Sequence, residues 1–137
     1  MDTSSYRDIR WLPYRNDSGE IVPPYALLRV TGVATVNGQT MHTVAKPNAS
    51  TTHLVWAFND GASVAVDGIG LLTFDSPAVA KVNTGVVPTA GAKYGPSSGQ
   101  WYIVASASAT FDLVVIHGTP SGVGDVTVVQ LIRSHLL

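Results

Sequence analysis

The sequence predicts an all-β protein, a small β-sandwich or partly closed barrel, and three observations carry that prediction. Valine (19) and threonine (13) are abundant while Glu20 is the one glutamate, so β-branched residues that suit a pleated strand outnumber the long residues that favour a helix. Thirteen glycines and eight prolines interrupt the chain and leave no long window with a clean 3.6-residue period. Between the interruptions, short apolar or alternating runs recur at the spacing of small antiparallel β folds.

The elements follow in order. Tyr25 to Thr31 is a strand, continued past Gly32 by Val33 to Val36. Asn37-Gly38 is the strongest hairpin signal, because a type I′ turn needs positive φ at both central residues. Gln39 to Ala45 returns, and Lys46 to Thr52 is a polar loop. Leu54 to Phe58 reads as a core strand closed by Asn59-Asp60-Gly61, a second tight hairpin turn. Val64 and Val66 alternate before Asp67-Gly68, and Ile69 to Phe74 is a short strand. Val79 to Val82, Trp101 to Val104, Phe111 to Ile116 and Val126 to Ile132 complete the set. A 14.4 kDa chain of this kind removes about 14,000 Å² from water on folding, enough for one core and too little for two. A single β domain over residues 20–137 is therefore expected.

Residues 1–19 read differently. Tyr6, Arg7, Arg10, Trp11, Tyr14 and Arg15 sit among Asp, Ser, Asn and Pro13 with neither periodicity, which predicts an extended N-terminal arm. Tyr, Trp and Arg are the residue types enriched where one protein docks on another, so these six are the expected partner contacts. The competing reading has Trp11 and Tyr14 fold back to cover the open end of their own barrel.

Charge and cysteine content exclude several classes of function. Eight basic and nine acidic residues, 12 % of the chain, give a net charge of −1, against about a quarter charged in an ordinary domain. There is no basic excess to drive nucleic-acid binding, and no apolar run approaches the ~20 residues of a membrane-spanning helix. The N-terminus lacks the basic and apolar regions of a signal peptide. The absence of cysteine excludes disulfides and cysteine-ligated zinc and suits synthesis in a reducing cytoplasm.

Motifs for chemistry fail on their context. Gly95-Pro96-Ser97-Ser98-Gly99 matches the G-x-S-x-G pattern, with His117 or His135 as the base, but an elbow needs a strand entering and a helix leaving on a parallel sheet; here a turn precedes a strand. Asp60, Asp67, Asp75, Asp112 and Asp125 lack calcium-loop spacing, and turn formation accounts for Asp beside Gly, Ser or Pro. His42, His53, His117 and His135 are scattered without ligand spacing. Neither a cofactor nor a metal is expected, and no enzyme emerges.

Two stretches carry a resemblance. The run Asn16-Asp17-Ser18-Gly19-Glu20-Ile21-Val22-Pro23-Pro24-Tyr25-Ala26-Leu27-Leu28-Arg29-Val30-Thr31-Gly32, with Tyr94-Gly95-Pro96-Ser97-Ser98-Gly99-Gln100-Trp101, resembles small virion structural proteins of tailed bacteriophages, in the head decoration, cement and fibre-associated group. The resemblance implies a virion protein made in the host cytoplasm and located on the capsid exterior, with the major capsid protein as partner and a homo-oligomer, a trimer foremost. Ending at Leu137 without fibre sequence favours decoration or cement over a fibre. A neck or tail adaptor is the alternative. A carbohydrate-binding β-sandwich, with Trp56, Trp101 and Tyr102 as a stacking platform, is a third. In physical terms both motifs are structural: the first is a turn followed by an extended Pro23-Pro24 entry, and the second reverses the chain so that Trp101 begins a core strand.

Overall fold

The protein is all-β. The computed structural model describes residues 9–48, 56–83, 90–105, 112–117 and 126–132, and among these are ten strands and no helix. Strands β1 (Leu12–Asn16), β2 (Leu27–Val36), β3 (Gln39–Ala45), β4 (Trp56–Asn59) and β5 (Ile69–Thr73) form a closed barrel in the order β1-β3-β2-β4-β5. Strands β6 (Ala78–Lys81), β7 (Lys93–Pro96), β8 (Ile103–Ala105), β9 (Asp112–His117) and β10 (Val126–Ile132) form a second sheet in the order β6-β10-β9-β7-β8.

Local sequence explains most of the barrel. Asn37 (φ 51°) and Gly38 (φ 79°) make the positive-φ turn that joins β2 to β3, and the pairing runs from Val36↔Gln39 down to Arg29↔Ala45 with a bulge near Gly32. Strand β4 pairs antiparallel with both β2 and β5. Alone, these four strands would be an open sheet edged by β3 and β5. Strand β1 fills the gap, parallel to β3 and antiparallel to β5.

This overturns the arm over Leu12–Asn16, while residues 1–8 of it lie outside the described residues. Residues 12–16 are a barrel strand, with Leu12, Tyr14 and Asn16 turned inward and Pro13 and Arg15 outward. The alternation is disguised in the sequence by Pro13 and by a buried asparagine where an apolar residue would announce the inner face. Tyr14 is fully buried because Gly70, its partner across the β1–β5 pair, has no side chain. Strand β7 is also absent from the sequence reading, being only Lys-Tyr-Gly-Pro.

Asn59-Asp60-Gly61 is not a tight hairpin. The chain from β4 to β5 instead makes a longer excursion through Val64, which bridges to Val22. Asn59 is buried and serves as a bonding centre: its Nδ2 donates to the carbonyls of Pro23 (2.9 Å) and Ala62 (2.8 Å), and its Oδ1 accepts from the Tyr14 hydroxyl (2.8 Å).

Two clusters of buried residues replace the expected single core, and they share a wall. Leu28 and Ala57 point into the barrel with Tyr14, Val22, Val44, Val64 and Leu72. Their neighbours Leu27 and Phe58 point out and pack on Ala78, Ala80, Val82, Tyr94, Ile103 and Val129 of the second sheet. The two-residue period of a strand thus lets β2 and β4 supply both cores. Each fully buried aliphatic side chain contributes roughly 1.5–3 kcal/mol.

The packing at Gly70 yields a direct prediction. A Cβ there would lie 2.5 Å from Val64 Cγ2 and 2.8 Å from Tyr14 Cζ. Gly70→Ala is expected to lower stability by about 1–3 kcal/mol through overpacking, read as a lower urea midpoint; an unchanged midpoint would contradict the observed packing of Tyr14.

Candidate functional site

The six residues expected as partner contacts separate into distinct environments. Tyr6 and Arg7 lie outside the described residues. Arg10 is exposed, and its backbone N–H donates to Asp75 Oδ2 (2.7 Å), tying the chain before β1 to the end of β5. Trp11 is 41 % exposed. Tyr14 is no contact residue at all, since the barrel encloses it, and on this residue the self-covering alternative is the correct one. Arg15 donates to Asp17 through Nε (2.7 Å) and Nη2 (3.1 Å).

What remains exposed is an apolar wall on the outside of β1 and β5. Pro13 stands opposite Leu71 and Arg15 opposite Ile69; Leu71 is 41 % and Ile69 49 % exposed. Trp11 continues the outward face of β1. Beside it a groove of about 180 Å³ is lined by Ile9, Trp11, Tyr25, Phe58, Thr73 and Val79, among others. The wall runs into the region where Phe58 is already covered by the second sheet. Arg15 supplies charge on this wall, and Asp17 neutralises it. Among the described residues the arrangement offers apolar area and shape.

Ile69, Leu71, Ile9 and Val79 are absent from the sequence reading of the site. The alternation of Ile69 and Leu71 with Gly70 and Leu72 is visible, but a period of two does not say which face is left uncovered.

The two motif segments meet through Lys46. Asn16 Nδ2 donates to the carbonyls of Glu20, Val64 and Ala65, and its Oδ1 accepts from Ser18 N–H and Oγ. Glu20 pairs with Lys46 (2.7 Å), whose ammonium lies 5.8 Å from the Trp101 ring centroid. Gly99 N–H donates to the Pro47 carbonyl and Leu27 N–H to that of Trp101. The Asn16–Glu20 turn and the Gly95–Trp101 turn therefore form one joint between the barrel and the second sheet.

That geometry also decides several smaller expectations. Ser97 begins a reversal closed by a bond from Gln100 N–H to the Ser97 carbonyl, with no helix after it. Trp101 is buried in the barrel interior while Trp56 packs on the other core, so the two indoles share no exposed platform for a sugar. Asp60 caps its own loop by accepting from Ala62 N–H (3.1 Å), and Asp67 occupies a positive-φ turn. His42 stacks edge-on against Phe74 at 5.3 Å. His53, His135 and Asp125 lie outside the described residues. Among the described residues no three His, Asp or Glu side chains come together to hold a metal.

Burial, with the nearby Asp60 carboxylate adding to it, pushes the Tyr14 phenol well above its ordinary value. The folded state therefore keeps a proton that the unfolded chain releases near pH ~10. The stability this contributes is complete below that pH and is lost as pH rises above it toward the folded value. Tyr14→Phe is expected to cost about 1–2 kcal/mol at pH 7, because Asn59 Oδ1 loses its donor. The wild-type advantage should then shrink above pH ~10, by at most about 1.4 kcal/mol per pH unit. Urea titrations of both proteins from pH 8 to 11 check this; parallel curves would refute it.

Comparison with protein-family models, with curated proteins and with solved structures finds no match to this chain.

Proposed function

We propose that this chain is a non-catalytic assembly subunit of a tailed-bacteriophage particle, a head decoration or cement protein acting on the capsid exterior. The observation that carries the assembly reading is the exposed apolar wall of Trp11, Pro13, Leu71 and Ile69, beside a barrel that its own N-terminal strand already closes. A closed barrel needs nothing further to cover its inside, so an uncovered outer wall is surface available for another protein. The bacteriophage part of the reading comes from the resemblance of the Asn16–Gly32 and Tyr94–Trp101 segments. Their joint at Asn16, Glu20, Lys46 and Trp101 gives those segments a structural purpose, which fits a protein whose task is mechanical.

The mechanism is linkage. A subunit that binds only the assembled shell stabilises it in proportion to its binding free energy, and standard interfaces of about 1,600 Å² supply that energy. Repetition over a symmetric shell multiplies the effect. The major capsid protein is the partner on this reading. The contact residues expected from the sequence are revised accordingly: Trp11 stays, Tyr14 leaves, and Ile69 and Leu71 join.

The test is the amount of this protein in purified particles relative to the major capsid protein. Hundreds of copies are expected; a dozen or fewer would assign it to the neck or tail, and none would refute the virion reading. Leu71→Glu and Trp11→Ala should each lower occupancy by about tenfold or more, the effect of losing a central interface residue. Both side chains are exposed, so thermal unfolding should be little changed. Undiminished occupancy in both variants would remove the wall from the contact.

A further inference from the structure

We infer that Asn37, at the tip of the β2–β3 hairpin, is a site of spontaneous deamidation whose rate is set by local opening of that tip. The reaction turns an uncharged tip into an anionic one.

The chemistry requires an asparagine followed by an unhindered backbone nitrogen. On giving up its proton, the Gly38 nitrogen attacks Asn37 Cγ. The new N–Cγ bond closes a succinimide ring and the Cγ–Nδ2 bond breaks, ammonia leaving with that proton. Water then opens the ring. Cleavage of the N–Cγ bond leaves aspartate at position 37, whereas cleavage between the nitrogen and the Asn37 main-chain carbonyl carbon leaves isoaspartate, with the chain running through Cγ.

The tip meets these requirements where the other described asparagines do not. Of the five asparagines, Asn37 is the one followed by glycine. Asn37 and Gly38 are both exposed, and a Cβ built on Gly38 would meet nothing within 4 Å, so no neighbour crowds the reacting atoms. Val36↔Gln39 is the pair that closes the turn, which leaves the Gly38 N–H outside the ladder. No described residue bonds the Asn37 side-chain amide. Asn16 and Asn59, by contrast, are buried, and their side-chain nitrogens are held by backbone carbonyls.

The fold gates the step. Asn37 (φ 51°) and Gly38 (φ 79°) form a left-handed turn, and bringing Cγ onto the Gly38 nitrogen requires rotation about the Asn37 Cα–C bond, out of the turn geometry. That rotation does not need the barrel to open. Among the described residues β4 pairs with Leu27–Arg29 and β1 with His42–Val44, so the stretch from Ala34 to Met41 is hydrogen-bonded only to itself. A two-stranded ribbon without further partners is marginally stable, and such a segment opens at lower cost than the core.

The two products differ in consequence. Between Arg29 and Lys46 the chain has no formally charged residue, so the new carboxylate is the first charge on the ribbon. Aspartate retains the turn, since Asp-Gly also favours the type I′ form. Isoaspartate lengthens the main chain by a methylene and breaks the match between the two-residue turn and the Val36↔Gln39 pair.

Incubation of the purified full chain in mildly alkaline buffer tests this, with tandem mass spectrometry of its peptides reading each asparagine. In the native chain, conversion at Asn37 is expected to exceed that at Asn16 and Asn59 by about tenfold or more, as local and core opening differ. The same chain in guanidinium chloride supplies the ungated rate, and folding should slow Asn37 by about fivefold or more relative to it. The aged species should co-elute with Asn37→Asp on anion exchange, and the peptide readout stands independently of that variant. Conversion at Asn37 no faster than at Asn16 or Asn59 in the native chain would overturn the site, and equal rates with and without denaturant would overturn the gate.

Discussion

Barrel closure by β1 is the constraint on which the rest depends. Strands β2 to β5 form an antiparallel sheet with two exposed edges, and unpaired edges invite association with other chains. Five residues, Leu12–Asn16, pair with both edges at once, parallel to β3 and antiparallel to β5. Tyr14 fits the interior because Gly70 opposite it has no side chain, and its hydroxyl reaches Asn59. Removing β1 would open the barrel, take the Tyr14 donor from Asn59 Oδ1 and expose the inner core together.

Two buried asparagines then turn closure into a defined shape. Asn16 and Asn59 are almost fully enclosed, and their amides bond to carbonyls from two connecting segments, β1–β2 and β4–β5. A buried amide costs stability unless satisfied, and every bond it makes disfavours a shifted arrangement. Asn16 holds the turn from Ser18 to Glu20 and the loop at Val64 and Ala65; Glu20 in turn meets Lys46 and, through it, Trp101. The segments Asn16–Gly32 and Tyr94–Trp101 thereby form the joint between barrel and sheet, a role that suits segments rich in turn formers.

The same two-residue period that builds two cores from one strand pair leaves the wall. On β2 and β4 both faces are covered, one by the barrel interior and the other by the second sheet. On β1 and β5 the inner face is covered, while Ile69 and Leu71 on the outer face are exposed. Scarcity of charge, at 12 % of residues, would be a solubility burden for a solitary monomer.

The all-β class, the Asn37-Gly38 hairpin, the long strands β2, β3 and β10 and the turn role of Asp60 and Asp67 are legible in the sequence, because each depends on local propensity or on a turn that only certain residues can make. The strand nature of residues 12–16 is not, since Leu-Pro-Tyr-Arg-Asn carries no apolar alternation until Asn16 is known to be buried. Nor is the exposure of Ile69 and Leu71, whose pattern is equally that of a covered strand. Trp11 is exposed, whereas Tyr14, of the same chemical kind and three positions on, belongs to the core. The sequence alone determined which segments extend and where they turn, because those choices are made within a few residues. Only the tertiary structure decided that β1 closes both edges and which face stays open, because those depend on partners in β3 and β5, well beyond the reach of local propensity.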